Sequence, residues 1–152
     1  MLSNFDIEDM AKSSDIDLIG VFSKDQMPSQ LKAGSYIINM QNAEDGNGTH
    51  WICCKIFENG KACYFDSFGC PMPLEVDAFL SKLKPVATNN REIQDLKSDK
   101  CGYFCLAFCH YFNNFDPYKA DTFNAYQKFL DHFAQDTKKN DIIVDELIKR
   151  YK

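Results

Sequence analysis

Cys101 is the residue of the 152-residue chain whose setting best suits chemistry. Together with Gly102 it opens the most apolar stretch of the sequence, residues 101–112, which is typical of a helix buried in a domain. Unpaired backbone N–H groups and the helix dipole stabilise an anion at a helix N-terminus. Because the thiolate is the reactive form of cysteine, we expect Cys101 to act as a nucleophile.

A thiol nucleophile needs a base, and the chain has three histidines. His110 follows Cys101 on the same predicted helix at a distance of roughly 13–14 Å, which is too far for a hydrogen bond. His132 falls in a later amphipathic helix, where a structural role is the default. His50 begins an apolar strand after a polar loop, and strand ends present side chains to clefts. His50 is therefore the candidate general base.

Two further polar residues suit supporting roles. Asp66 ends the strand that we expect to pair with the His50 strand through the Asn59-Gly60 turn, so its carboxylate could hold the imidazole in one tautomer. Gln94 lies on the loop that leads to Cys101, where its amide could help the backbone N–H of Cys101 to stabilise an oxyanion. Taken alone, each of these residues also has an ordinary structural role, as a turn residue or a solvated loop amide.

The other cysteines fit the role of small buried hydrophobes. The total of seven is odd and the N-terminus shows no signal peptide, so we expect no disulfide framework and a reducing compartment. A zinc site is the main competing use of these thiols, but the chain has no Cys-x-x-Cys spacing. Cys53 and Cys54 should point to opposite faces of a strand, and Cys105 and Cys109 are spaced along a helix. We therefore expect neither a metal nor a cofactor.

The composition is that of a soluble globular protein, with 45% hydrophobic and 26% charged residues. Seventeen basic residues against 22 acidic ones give a net charge of −5, which argues against nucleic acid as the main partner. The acidic excess lies in residues 1–30, which we expect to form a solvated N-terminal segment. No apolar run reaches the ~18 residues of a membrane span, so we expect a protein that is neither secreted nor transmembrane.

Hydrophobic periodicity and turn residues predict the elements that must position these side chains. A weak helix is expected within 4–18, strands at 19–22, 35–40, 50–57, 62–66 and around Ile93, and helices at 74–83, 101–112, 119–134 and 140–150. This order of a helix, several strands and a helical C-terminal half predicts an α+β fold. The length predicts a single domain over residues 1–152.

The motifs resemble those of the adenovirus-protease-like cysteine peptidases (adenain-like, clan CE), which share their fold with the SUMO- and ubiquitin-like-specific proteases. The matching segments follow the family's order and comprise Gly48-Thr49-His50-Trp51, residues 64–69, Gln94 and residues 101–105. Residues 20–28 are also similar to a segment of the maturation proteases of virophages and polinton-like elements. Each motif is weak alone, and their order makes the resemblance specific.

The resemblance implies a papain-like cysteine protease fold of the adenain and ubiquitin-like-protease type, with a central mixed β-sheet flanked by helices. It implies a cysteine endopeptidase that cleaves viral capsid precursors at Gly-containing sites, in the virion and the host cytoplasm. The roles it assigns are nucleophile for Cys101, general base and then acid for His50, orienter for Asp66, oxyanion donor for Gln94, and substrate contact for Trp51 and Gly102.

Three other functions remain open at this point. A protease for ubiquitin-like modifiers and an acetyltransferase would use the same Cys-His-acid set on the same fold, and a non-catalytic binding module would use Cys101 only for packing. The adenovirus enzyme is assisted by DNA and a peptide. Because this acidic chain lacks a basic stripe, we expect it to act as a monomer without nucleic acid.

Overall fold

The computed structural model of the chain describes residues 1–45, 50–83 and 85–149. Two residues of the motif that precedes Trp51, Gly48 and Thr49, therefore lie outside the described residues. Within the described residues the strands are β1 (Gly20–Ser23), β2 (Gly34–Asn39), β3 (Trp51–Ile56), β4 (Ala62–Phe65) and β5 (Val86–Ala87). The α-helices are α1 (Asn4–Ser13), α2 (Leu74–Leu80), α3 (Cys101–Tyr111), α4 (Thr122–Leu130) and α5 (Asn140–Lys149).

The strands form one mixed sheet in the order β1-β2-β3-β4-β5. The two outer pairs are parallel and the two inner pairs are antiparallel. Asn39 at the end of β2 pairs with Trp51 at the start of β3, and Cys53 pairs with Phe65 at the end of β4. The end of β2, the start of β3 and the end of β4 therefore meet at one edge of the sheet.

The α+β architecture with a mixed sheet flanked by helices is confirmed. A larger hydrophobic core lies between the sheet and α1, α3, α4 and α5, and a smaller one lies under α2. The side chains of Cys53 and Cys54 fall in opposite cores, as the strand period predicts. Cys105 and Cys109 are fully buried on α3, which is apolar nearly all round.

The strand expected around Ile93 is wrong. The fifth strand is instead the short segment Val86–Ala87, which runs parallel to β4. Ile93 lies in a loop, where its side chain is buried and its backbone N–H donates to the carbonyl of Ser67 at 2.9 Å. A single apolar residue anchoring a loop in the core resembles a short strand in sequence, because both bury one side chain between polar neighbours.

Lys55 fixes helix α3 against strand β3. Its Nζ donates to the carbonyl of Phe112 at 2.6 Å, just beyond the C-terminal end of α3, where the helix dipole favours a cation. An 11-residue helix is about 16 Å long, which is close to the span from His50 to Lys55 along the strand. The opposite end of α3, which carries Cys101, is therefore placed beside the start of β3.

The N-terminal segment packs on the larger core through helix α1. Helix α1 begins with a capping box in which Ser3 and Asp6 satisfy each other's backbone N–H groups. Ile7 and Ala11 are buried in the larger core, and the acidic side chains of residues 1–30 are exposed. The acidic face of this segment is solvated as expected, but helix α1 packs on the core instead of extending into solvent. No helix in the described ranges combines the length and the apolar character needed to cross a bilayer.

Candidate active site

His50 and Asp66 meet at the edge of the sheet where β3 begins and β4 ends. Nε2 of His50 lies 2.7 Å from Oδ1 of Asp66. Because a carboxylate only accepts hydrogen bonds, Nε2 carries the hydrogen and Nδ1 of the neutral ring carries the lone pair. Nδ1 is buried and makes no hydrogen bond of good geometry with the described residues. It is therefore the ring atom that is available to a thiol.

Cys101 is the first residue of α3 and its side chain is 2% exposed. The segment before it is held by helix α5 through two polar contacts. Ser98 Oγ donates to Asp141 at 2.7 Å, and Lys100 Nζ pairs with Asp145 at 2.8 Å. These contacts fix the backbone from which the Cys101 side chain projects. The backbone N–H of Tyr103 already donates to the carbonyl of Lys100 at 2.9 Å, so the N–H groups of Cys101 and Gly102 are the ones that this helix N-terminus can offer to an anion.

The pKa of His50 is set by its burial and by its contacts with Asp66 and Cys101. Burial lowers this pKa, but hydrogen bonds with Asp66 and Cys101, and the negative charges of both groups, outweigh the burial and raise it to about 9. The ordinary value is 6.5, so His50 is protonated at neutral pH. The pKa of His110 is instead lowered by burial. The positive charge of an imidazolium stabilises the thiolate form of a cysteine beside it, and a carboxylate on the other side of the ring stabilises the imidazolium.

Asp66 is held by groups that sequence reasoning missed. The carboxyl group is 1% exposed, and its Oδ1 also accepts from the backbone N–H of Phe68 at 2.9 Å. Asn89 Oδ1 accepts from the Asp66 backbone N–H at 3.1 Å, and Asn89 Nδ2 donates to the Asp66 carbonyl at 2.7 Å. The hydroxyl of Tyr126 donates to the carbonyl of Tyr64 at 2.6 Å and lies 3.2 Å from Asn89 Oδ1. The backbone of Asp66 is thus clamped from both sides.

Phe68 also stacks on the imidazole of His50. The ring centroids are 4.6 Å apart and the planes are inclined by 25°. Gly69 makes this turn possible, because its φ is +71° and a Cβ there would lie 2.7 Å from the carbonyl oxygen of Arg91. The Asp-Ser-Phe-Gly motif contains Phe68 and the glycine that this contact requires. The sequence alone does not show that the turn places the Phe68 ring over His50.

Gln94 lies in the loop between β5 and α3 and is fully buried. Its Oε1 accepts from Ser67 Oγ at 2.6 Å, and its Nε2 donates to the carbonyl and the hydroxyl of Ser98 at 3.0 and 3.2 Å. The side chain therefore joins the residue after Asp66 to the segment before Cys101. Both amide hydrogens point to Ser98 in this structure.

Trp51 and Gly102, the two residues assigned to substrate contact, both touch Leu2. The indole N–H of Trp51 donates to the Leu2 carbonyl at 2.9 Å, and the Trp51 side chain is 3% exposed. A Cβ on Gly102 would lie 3.0 Å from Cδ1 of Leu2, so glycine allows the N-terminal segment to pack on α3. The structure thus places both residues beside the site, under the start of the chain.

The cysteines are all free, and those other than Cys70 are buried. Among the described residues, no group of three or more His, Cys, Asp or Glu side chains is arranged to hold a metal ion.

Comparison with known proteins identifies the class of fold. No protein-family model matches the sequence, and no curated protein matches it. The structure is similar to the crystal structure of the ASFV pS273R protease, with a TM-score of 0.59 and 15% sequence identity. The match covers 99% of this chain and 67% of that chain. At this identity the likeness establishes the fold, and the chain has the papain-like protease fold that the motifs predicted.

Proposed function

We propose that the protein is a cysteine endopeptidase of the adenain-like type. The observation that carries this proposal is the 2.7 Å bond between His50 and Asp66 at the sheet edge where Cys101 begins α3. The similarity in fold to the ASFV pS273R protease supports it. The resemblance of residues 20–28 to virophage maturation proteases points to the substrate, which is a viral capsid precursor cleaved during virion maturation.

His50 is protonated at neutral pH, with the proton of Cys101 Sγ held on Nδ1, so the reaction begins from a thiolate and an imidazolium. This imidazolium is stabilised by Asp66 through the Nε2–H bond, which agrees with the raised pKa of His50. The thiolate then attacks the carbonyl carbon of the scissile peptide bond, and the carbonyl oxygen becomes an oxyanion. Phe68 and Asp66 hold the imidazole ring in one orientation throughout.

The oxyanion is stabilised by the backbone N–H of Cys101 and by the amide of Gln94. For this, Nε2 of Gln94 exchanges one of its hydrogen bonds with Ser98 for one with the oxyanion. His50 then protonates the leaving amine through Nδ1, the C–N bond breaks and a thioester forms on Cys101. Water, deprotonated by His50, hydrolyses the thioester and regenerates the thiol.

The substrate approaches along Trp51 and Gly102. Leu2 contacts both residues and Cys101 is 2% exposed, so the approach to the nucleophile is narrow. A glycine next to the scissile bond suits such a narrow approach, because it has no side chain to place. We propose that the enzyme acts as a monomer in the virion and the host cytoplasm, and that it needs no metal, cofactor or nucleic acid.

The direct test is incubation of the purified protein with candidate capsid proteins, followed by mass spectrometry of the fragments. We expect discrete cleavage next to glycine by the wild-type protein and none by Cys101→Ala. Iodoacetamide labelling at pH 7 provides a second readout, in which one fast-reacting cysteine disappears in Cys101→Ala. Full activity of Cys101→Ala would refute the mechanism.

Two probes separate this proposal from the other functions of the same fold. A ubiquitin-like vinyl sulfone that labels Cys101 rapidly, without cleavage of capsid proteins, would identify a modifier protease. Transfer of an acetyl group from acetyl-CoA, lost in Cys101→Ala, would identify an acetyltransferase. We expect neither reaction.

A further inference from the structure

Leu2 lies between the two residues that directly follow the candidate catalytic pair in the chain. Trp51 follows His50, and its indole N–H donates to the Leu2 carbonyl at 2.9 Å. Gly102 follows Cys101, and a Cβ at this glycine would lie 3.0 Å from Cδ1 and 3.3 Å from Cβ of Leu2. Leu2 therefore bridges the start of β3 and the first turn of α3, beside the candidate active site.

Both members of the pair are poorly accessible in this arrangement. Cys101 is 2% exposed, and the side chain of His50 is 14% exposed. Consecutive Cα atoms are about 3.8 Å apart, so the Leu2 side chain lies within about 9 Å of the Cα atom of Cys101. An extended peptide advances about 3.3 Å per residue, so a substrate that reaches Cys101 along Trp51 and Gly102 has to pass the place of Leu2.

The start of helix α1 holds Leu2 at this place. Ser3 is the N-cap of the helix and has an extended backbone, so Leu2 occupies the N′ position outside the helix and Ile7 the N4 position. Apolar residues at N′ and N4 often pack together as a hydrophobic staple. Both side chains touch the same point of α3, since Cδ1 of Ile7 lies 3.5 Å from the Cβ position of Gly102.

Leu2 can leave its place without disturbing the rest of α1. The helix keeps its own anchors, because Ile7 and Ala11 are buried in the larger core and the capping box begins at Ser3. Leu2 is only half-buried, and it gives up one hydrogen bond and part of an apolar contact. A peptide that offers a carbonyl to the indole N–H of Trp51 would replace that hydrogen bond.

We propose that Leu2 blocks the approach to Cys101 in the free protein and that the substrate must displace it. This inference rests on the proposed peptidase function, because the displacing group is the polypeptide that is cleaved. When a protein exchanges between a blocked and an open state, its apparent affinity for the substrate is reduced by the fraction of open molecules. Weaker contacts of Leu2 should therefore lower KM, leave kcat unchanged and make Cys101 more reactive.

The test is the variant Leu2→Ser, which keeps the backbone carbonyl and removes the apolar side chain. Half burial of a leucine side chain corresponds to a factor of about three to ten in an equilibrium constant. KM for a fluorogenic peptide should fall by this factor. The rate of alkylation of Cys101 by iodoacetamide, followed by mass spectrometry, should rise by the same factor. An unchanged KM or an unchanged alkylation rate would overturn the inference.

Leu18→Ser is the matched control, because Leu18 is also a half-buried leucine that packs against the larger core. It lies between α1 and β1, and the mechanism gives it no role. The KM and the alkylation rate of this variant should equal those of the wild type. Equal increases of the alkylation rate in Leu2→Ser and Leu18→Ser would indicate a general loosening of the core and would overturn the inference.

Trp51 provides a readout that needs no catalysis. It is the only tryptophan of the chain, so its indole N–H gives a single signal in a ¹H–¹⁵N spectrum of the full chain. Exchange of this hydrogen with water requires the departure of the Leu2 carbonyl. The exchange rate should therefore rise in Leu2→Ser by the same factor as the alkylation of Cys101. Faster exchange at Trp51 without faster alkylation of Cys101 would show that Leu2 does not block the thiol.

These outcomes also separate the inference from the proposed function. If Leu2→Ser accelerates both alkylation and indole exchange but neither protein cleaves any peptide, the proposed peptidase function is wrong and the block at Cys101 stands. If the wild type cleaves peptides and Leu2→Ser behaves like the Leu18→Ser control, the block is wrong and the peptidase function stands.

Discussion

Replacement of Asp66 by asparagine should make the loss of activity depend on pH. Asparagine retains an oxygen that accepts from His50 Nε2–H and from the backbone N–H of Phe68, so the geometry is preserved. What it removes is the negative charge. Because that charge raises the pKa of His50, the substitution should lower this pKa. The alkaline limb of the kcat/KM profile should therefore move to lower pH.

The magnitude follows from the two pKa values of His50. With a pKa of about 9, the imidazole is about 90% protonated at pH 8. In Asp66→Asn, burial lowers the pKa of His50 and Cys101 raises it, so we take the ordinary pKa of 6.5 for the variant. The protonated fraction of the imidazole at pH 8 is then about 3%. The loss of the protonated form is then about 30-fold at pH 8 and only about 1.3-fold at pH 6.

The assay is kcat/KM for a fluorogenic peptide between pH 5.5 and 9.5. The ratio of wild-type to variant activity should rise by about 20-fold from pH 6 to pH 8, whatever the pH-independent loss. An NMR titration of the His50 ring should show the same fall in its pKa. Asp121→Asn is the control, because it removes one charge at the N-cap of α4 and asparagine caps equally well. A ratio that stays constant with pH would refute the reasoning.

Three further substitutions test the framework around the site. Lys55→Met should lower the free energy of unfolding by about 1–3 kcal/mol in urea denaturation, because a carbonyl at the end of α3 loses its partner, and an unchanged value would contradict this. Gln94→Ala should lower kcat by about 10²–10³-fold with KM unchanged if Gln94 binds the oxyanion, whereas a role limited to holding Ser98 would show mainly as a lower Tm. Gly102→Ala should stabilise the protein by up to about 1 kcal/mol more in a Leu2→Ala background than in the wild type, because the 3.0 Å approach of the new Cβ to Leu2 Cδ1 is then removed. Equal changes in the free energy of unfolding in the two backgrounds would exclude that contact.

The features predictable from sequence are those set by local pattern. Cys101 stands where a polar loop gives way to an apolar run, and α3 begins at that residue. His50 and Asp66 come together because the Asn59-Gly60 turn fixes the register of two neighbouring strands, in which Ile56 pairs with Ala62. One turn and two strand lengths thus determine the 2.7 Å contact.

The features that sequence could not predict depend on loops and on distant segments. Asn89 bonds the backbone of Asp66, but nothing in its surroundings marks it, since loop amides are common. Phe68 looks like an ordinary aromatic until the turn at Gly69 directs it over His50. Leu2 reaches Gly102 only because α1 packs on the larger core. In each case the contact follows from the path of the chain and not from residue type or spacing.

The protonated state of His50 also stabilises the buried carboxylate beside it. Asp66 is 1% exposed, and its Oδ2 has no hydrogen-bond partner among the described residues. A buried charge is costly unless an opposite charge compensates it, and the imidazolium at 2.7 Å is that charge. Since the folded-state pKa of His50 is raised from 6.5 to about 9, this stabilisation is complete below pH 6.5 and is lost as the pH rises through about 9. The ion pair between His50 and Asp66 is therefore favoured by the fold itself, before any substrate binds.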